Sequence, residues 1–262
     1  MKALYKKRYA SRKIRGKLRV CRYLSANKKL KQHVPRTVSF SRANLEMMMD
    51  RYDIVYVKPD VGSLGMDIFM LKRAESGYGL YEIVKKKQVQ TSFSSLTDVF
   101  ERINNAKSSR LIIQKGISLD CVNDCPYDIR AMVQRKPRGS WICTGFMVKV
   151  GARHKIVTNY HQGGMIYTIK KLGKQQGIAE SETARRVRKL TRTALSISRT
   201  LSKKQSGMHE MGIDFAYDKQ KHLWVLEVNS NHPQFHPLKQ LDRRAYNKMK
   251  RFAASYGRYD AK

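Results

Sequence analysis

The residue types richest in chemistry fall in two short stretches, Gly212-Ile213-Asp214-Phe215 and Trp224-Val225-Leu226-Glu227-Val228-Asn229. Leu223 to Val228 is apolar and the intervening Asp218-Lys219-Gln220-Lys221 reads as a turn. Ile213 to Tyr217 and Leu223 to Val228 are therefore expected to pair as an antiparallel hairpin. Side chains alternate along a strand, so Glu227 and Asn229 share one face, with Asp214 across the hairpin. Carboxylate and amide oxygens so placed form the hard donor set that Mg²⁺ takes when phosphates and water complete its shell. The competing reading is polar strand ends in water, since Asp, Glu and Asn also mark turns.

Upstream, Val55-Tyr56-Val57-Lys58-Pro59 reads as a strand ending on a lysine, followed by Asp60-Val61-Gly62-Ser63-Leu64-Gly65-Met66-Asp67-Ile68 and a second apolar run from Phe69 to Leu71. Strand, small-residue loop and strand is the layout of a flap over phosphates: the glycines allow close backbone approach and the lysine supplies a point charge. A glycine pair between strands is more often a plain hairpin turn. No Gly-x-x-x-x-Gly-Lys-Ser/Thr loop and no Gly-x-Gly-x-x-Gly after a strand is present, which excludes the signatures of P-loop and dinucleotide-binding folds.

In this order, Val57-Lys58-Pro59, Gly62-Ser63-Leu64-Gly65, Ile112-Ile113-Gln114-Lys115-Gly116-Ile117, Asp128-Ile129-Arg130, Asn159 with Gly163-Gly164, Gly212-Ile213-Asp214 and Glu227-Val228-Asn229 resemble the ATP-grasp superfamily. Within it the chain is similar to the YheC/YheD group of endospore coat-associated proteins, a likeness that His33-Val34-Pro35-Arg36-Thr37 and Trp141 to Lys149 share. The resemblance runs from about Lys17 to about Phe235. It implies an α+β fold of two α+β subdomains with the nucleotide held between them: a basic arm over residues 1–16, a first subdomain over about 17–113 and a second, with the metal site, over about 114–262.

The same resemblance implies roles. Lys58 would meet the α and β phosphates of ATP, and Gly62, Ser63, Leu64 and Gly65 would cover the β and γ phosphates. Lys17 is similar to the first phosphate lysine, with Arg19 and Arg22 as alternatives. The backbone of Gln114, Lys115, Gly116 and Ile117 would pair with the adenine edge, and Asp120 would reach the ribose. Asp214, Glu227 and Asn229 would hold Mg²⁺, Arg130 would neutralise the transferred phosphoryl group or an acyl phosphate, and Asn159 with Gly163 and Gly164 would line the acceptor side. The implied activity is ATP-dependent joining of a carboxylate to an amine through an acyl phosphate, on a peptide of the spore envelope. The alternative is a non-catalytic coat-associated scaffold that uses its basic surface to hold anionic partners.

That chemistry has its own physical logic. A carboxylate is a poor electrophile at neutral pH, and phosphorylation gives it a leaving group. Lysines, an arginine and Mg²⁺ supply the charge neutralisation and alignment, so no Ser-His-Asp or Cys-His set is required. His209, His222, His232 and His236 read as surface or structural groups, and His161 lies beside the expected acceptor site. Related branches carry an arginine where Lys149 stands, and a lysine keeps the charge without the two-pronged grip. Superfamily ligases also carry a separate α/β domain ahead of the nucleotide fold, so the acceptor site is expected to be reduced or completed by a protein partner.

Charge is the other strong feature: 54 Lys plus Arg against 20 Asp plus Glu, a formal net charge of +34 in 262 residues. No acid precedes Glu46 and none lies between Asp128 and Glu180. Such a field draws polyanions and is screened by salt. Nucleic acid, an acidic peptide or polymer, and an anionic spore or membrane surface are the candidate partners, set against a solvated basic arm with no partner. No zinc finger, RNP segment or aromatic groove motif adds sequence readout.

Cys21, Cys121, Cys125 and Cys143 lack paired metal or disulfide spacing, and no apolar run reaches the length of a membrane span, so a reducing, cytoplasmic setting is expected. A hydrophobic content of 41% supports a proper core. Helices are expected over about Ala43 to Asp50, Ser95 to Ala106, Glu180 to Lys204 and Arg243 to Tyr256. Strands beyond the hairpin are expected near Ile54 to Lys58, Ile68 to Lys72, Leu111 to Gln114, Ile129 to Gln134 and Trp141 to Val150. Ala184, Val187, Leu190, Ala194, Ile197 and Leu201 form the apolar stripe of the longest helix.

Overall fold

The computed structural model describes residues 7–62, 67–84, 87–107, 109–152 and 164–260. In chain order its elements begin with α1 (Lys17–Ser25), β1 (Thr37–Ser39), α2 (Arg42–Arg51), β2 (Ile54–Pro59), β3 (Phe69–Ala74), β4 (Gly77–Val84), β5 (Lys87–Phe93), α3 (Leu96–Ala106) and β6 (Leu111–Lys115). There follow β7 (Cys121–Val122), β8 (Cys125–Gln134), β9 (Ile142–Val150), β10 (Met165–Tyr167), α4 (Ile169–Gln175), α5 (Glu180–Lys204), β11 (Glu210–Tyr217), β12 (Leu223–Asn229), α6 (Leu238–Leu241) and α7 (Arg243–Ala254). The strands make two antiparallel six-stranded sheets, ordered β1-β6-β2-β3-β4-β5 and β10-β9-β8-β11-β12, with β7 paired to β8. This is the mixed α+β class that the sequence led us to expect.

In the first sheet the period of two in β2 does the positioning. Val55 and Val57 point into a core with Leu45, Met48, Val99 and Ile103 of α2 and α3, which leaves Tyr56 and Lys58 on the opposite face. Ser41 and Ser95 cap α2 and α3 by accepting hydrogen bonds from Asn44 N and Asp98 N. In the second sheet Ile129, Ala131, Ile213, Phe215 and Val225 face α5, packing on Leu190, Ala194, Ile197 and Leu201. The other face meets α7 through Met132, Met147 and Met249, and beyond α7 carries polar residues.

The division of the chain differs from the expected one. Residues 17–34, placed by sequence in the first subdomain, belong to the second core, where Val20, Leu24, Leu30 and Val34 pack in the same cluster as Ile197 and Ile213. The reason is the apolar stripe of α1, hidden in sequence among its arginines. The described part of the basic arm also docks. Ala10 N donates to Tyr256 O at 3.1 Å and Arg12 N to Gly207 O at 2.8 Å. Ile14 N donates to Ser230 Oγ at 3.0 Å. Among the described residues five strands went unread: β1, β7 and β10 are only two or three residues long, β4 opens on Gly77, and β5, Lys87–Phe93, is a polar edge strand. Ala184, assigned to the apolar stripe of α5, is exposed, because that stripe begins to bury only near Leu190.

Behind the second sheet lies a buried polar knot. Glu210 receives hydrogen bonds from Arg258 Nη1 at 2.6 Å, Tyr256 Oη at 3.1 Å and Tyr9 Oη, and Lys7 Nζ stands 3.3 Å from it. His232, with a left-handed backbone φ of 133°, joins through Nδ1, 3.0 Å from Tyr9 Oη.

Ile197→Ala is expected to cost about 2–5 kcal/mol in urea unfolding, and Ala184→Ser under about 0.5 kcal/mol. Burial, reinforced by Arg258, lowers the His232 pKa to about 4. The folded state thus resists a proton that the unfolded state accepts near pH 6.5, so stability is held above that pH and declines as pH falls toward 4. His232→Gln is expected to flatten this decline in urea midpoints measured between pH 7 and 4.

Candidate active site

Asp60, just past β2, places the first cation. Its backbone carbonyl accepts from Lys17 N at 2.9 Å and its side chain from Leu18 N at 2.8 Å, so it caps the start of α1. A φ of 97° at Gly16, with Asp60 oxygen 3.0 Å from where a Cβ would stand, makes that entry suit glycine. Lys17 is thereby held beside the glycine loop: Nζ donates to Gly62 O at 2.9 Å and lies 3.4 Å from Glu227 Oε1 of the second sheet. Lys58 donates to Gln114 Oε1 at 2.8 Å, and Gln114 Nε2 in turn donates to Thr37 Oγ1 at 2.9 Å. Burial lowers the Lys58 pKa, with Glu227 acting in the opposite sense.

On the second sheet, register does the work. Asp214 pairs with Glu227 on β12 and with Arg130 on β8, Gly212 pairs with Asn229, and Asp128 pairs with Lys149 on β9. A bulge at Leu226 of β12, between the Asp214–Glu227 and Phe215–Val225 pairs, keeps Glu227 on the face that carries Asp214. Arg130 grips Asp214 with Nε and Nη2 at 2.8 and 2.6 Å. Lys149 Nζ stands 2.8 Å from Asp128 and 3.4 Å from Asp214. Acid and base thus alternate from Asp128 through Lys149 and Asp214 to Arg130. Burial alone would raise the Asp214 pKa, but Arg130 and Lys149 reverse this and hold the carboxyl well below its usual range.

Lys17, Gly62, Lys58, Gln114, Arg130, Asp214 and Glu227 are therefore brought to one cleft between the sheets. The chain crosses between the sheets from Gln114 to Asp120, with Gly116 N bonded to Ile54 O at 2.8 Å. Lys115 turns its side chain outward, Nζ lying 5.3 Å from the Tyr52 ring centre and 4.8 Å from that of Trp224. Asp120, expected to reach the ribose, has partners within the chain. Its carboxylate accepts from Tyr127 Oη at 2.8 Å and Lys221 Nζ at 2.7 Å, because the β11–β12 turn folds back over it. Ser63, Leu64, Gly65, Asn159 and Gly163 lie outside the described residues. Sequence reasoning quoted Asp128, Asp60 and Thr37 within motifs but gave none of them a role of its own. Only Asp128 carried a signal, two residues before Arg130 and hence on the same strand face.

Among the described residues no group of three or more His, Cys, Asp and Glu could hold a metal ion. The expected donor set counts an amide instead, and its oxygens suit a hard divalent cation. Glu227, one third exposed, is accessible to one, while Asn229 Oδ1 also accepts from Asn231 N at 3.0 Å. Asp214 has both oxygens engaged by Arg130, and a carboxylate so held keeps further lone pairs for a cation.

A family model described as YheC/D like ATP-grasp matches residues 6–259. The chain is 27% identical over 216 residues to the endospore coat-associated protein YheD of Bacillus subtilis (strain 168), covering 76% of this chain and 46% of that protein. It is 22% identical over 236 residues to the endospore coat-associated protein YheC of the same strain, covering 88% of this chain and 63% of that protein. The chain thus spans less than two thirds of either relative. Among solved structures, the crystal structure of N5-carboxyaminoimidazole ribonucleotide synthetase from Thermotoga maritima shares its fold, with a TM-score of 0.50 and 14% identity over 95% of this chain and 51% of the other. Among the described residues no helix is long and apolar enough to cross a membrane.

Asp214→Asn leaves Arg130 and Lys149 buried without their shared anion, and is expected to destabilise the chain by about 3–5 kcal/mol in urea at pH 7. The depressed carboxyl stabilises the fold above about pH 4 and that contribution is lost as pH falls further, so the variant is expected to lack the native chain's steep loss on the acid side.

Proposed function

The chain belongs to the YheC/D-like ATP-grasp family, and from that premise we propose that it holds Mg²⁺-bound ATP between its two sheets and joins a carboxylate to an amine. The observation that carries this reading is the 3.4 Å approach of Lys17, beside the glycine loop, to Glu227 on the far sheet, which sets phosphate-type lysines and hard-oxygen ligands across one cleft. Lys58 and Lys17 neutralise the phosphates, and Gln114 fixes the direction of the Lys58 ammonium. The backbone after Pro59 covers the terminal phosphates. Glu227 and Asn229, joined by Asp214, would hold the Mg²⁺, which would supply charge neutralisation at the transferring phosphoryl group.

In the reaction the acceptor carboxylate attacks the γ-phosphorus. A new O–P bond forms, the bond to the bridging oxygen breaks, and ADP leaves. An amine then attacks the acyl phosphate carbon, phosphate departs, and the amine's proton passes to solvent or to the departing phosphate. Arg130, oriented by Asp214 through Nε and Nη2, stabilises the acyl phosphate with its remaining guanidinium N–H donors. Lys149, anchored by Asp128, offers a further cation to the acid substrate. The names of YheD and YheC favour a spore-envelope substrate, and equally a coat-associated scaffold that binds nucleotide without turnover.

Calorimetry with Mg²⁺ and ATP tests the site. Lys58→Ala and Glu227→Gln are each expected to weaken binding about tenfold or more, the size of a lost charge-assisted contact at about 1.4 kcal/mol per decade. No binding by the folded native chain would defeat the nucleotide reading. Binding without ADP release across a panel of acids and amines would favour the scaffold.

A further inference from the structure

The unpaired charge of the chain has a place of its own. Between Glu182 and Glu210, and throughout the residues before Glu46, the sequence contains no carboxylate, and these stretches supply α1 and nearly all of α5. The two helices form one layer, tied by Asn27 Nδ2 donating to Thr200 Oγ1 at 3.1 Å. Arg188, Arg192, Arg199 and Lys203 are exposed along α5, with Arg19 and Arg22 exposed on α1. From Arg188 to Lys203 this row extends about 22 Å at a rise of 1.5 Å per residue. Arg188 with Arg192, and Arg199 with Lys203, are like charges four apart, an arrangement that weakens an isolated helix. Lys203 and Lys204 suit the negative end of the helix, but Arg188 and Arg192 stand well before it. Near the end of the row, Asn27, Ser196, Arg199, Thr200, Lys203 and Lys204 line a recess of about 300 Å³, combining cations with hydroxyl and amide groups as phosphate oxygens require.

From this surface we propose a second binding site: the α1–α5 layer holds the phosphate backbone of duplex nucleic acid, without reading its bases. The chemistry of the face selects this partner over others. The large apolar side chains exposed among the described residues, such as Val89 and Met165, lie elsewhere, so the layer lacks the apolar anchor on which a protein interface turns. Tyr23 is the one aromatic residue on the two helices and lies under Lys204, whose Nζ stands 5.8 Å from its ring centre, so no open platform is offered to the bases of a single strand. A row of cations about 22 Å long matches about six base pairs at 3.4 Å each, and a duplex presents phosphates throughout that span. The site is separate from the cleft, whose cations Lys17, Arg130 and Lys149 are engaged by carboxylates.

The test is fluorescence anisotropy of a labelled duplex of mixed sequence, titrated with the full chain across a salt series. The α5 variant replaces Arg188, Arg192, Arg199 and Lys203 with glutamine, and the control variant makes the same change at Arg243, Arg244, Lys250 and Arg251, exposed on α7. Circular dichroism and Mg²⁺-ATP calorimetry verify that each variant is folded with an intact cleft. The α5 variant is expected to bind at least tenfold more weakly near 0.1 M salt, and to reduce the slope of log K against log salt by about 3–4, at about 0.9 per phosphate contact. The control is expected to stay within about twofold of native, because its cations lie outside the contact. Equal losses in both variants would assign the binding to general charge and overturn the proposal. So would polyglutamate that binds the native chain more tightly than the duplex does, or no duplex binding near 0.1 M salt.

Discussion

Buried charge must be matched by opposite charge, and here the matching is a row in which Asp128, Lys149, Asp214 and Arg130 alternate across three strands. Each ion removed from water loses several kcal/mol of solvation, which its neighbours recover only at hydrogen-bond distance. The row therefore tolerates little slip in register among β8, β9 and β11. A shift of one residue would carry Asp214 and Arg130 into the apolar core beneath α5. The bulge at Leu226 serves the same constraint by keeping Glu227 on the charged face. The fold thus depends on the same four residues that stand at the candidate site.

The first sheet meets this row through α1. Asp60 caps the helix, the helix sits in the second core, and Lys17 at its first turn spans from Gly62 to Glu227. The segment before it docks on Ser230, next to Asn229, so the beginning of the chain braces the strand that carries Glu227. Charge is in this way sorted by location. Cations inside the cleft have carboxylate or amide partners, whereas those along α5 form a row of one sign.

How much of this the sequence disclosed follows from the range of each interaction. The β11–β12 hairpin, the face shared by Glu227 and Asn229, and the cleft-facing Lys58 were legible because a period of two and a short turn are local signals. The span of α5 was readable from its apolar repeat, though Ala184 shows that the repeat does not report where burial begins. Other features were hidden. The apolar residues of α1 are interleaved with Lys17, Arg19 and Arg22, so no helix was read over Lys17–Ser25 and the segment was assigned with the first sheet. Among the described residues β5 is a polar edge strand paired with β4 alone, and edge strands carry weak alternation. The engagement of Asp120 by Lys221, and of Asp214 by Arg130 and Lys149, joins residues far apart in sequence, which no local pattern reveals.

The central claim is that one nucleotide site draws on both sheets. Amide hydrogen exchange along the chain, with and without Mg²⁺ and ATP, tests it most directly. The account predicts slower exchange both at the end of β2 through Gly62 and along β12 with the following turn at Ser230. Slowing confined to a single sheet, or found only on the outer face of α5, would contradict it.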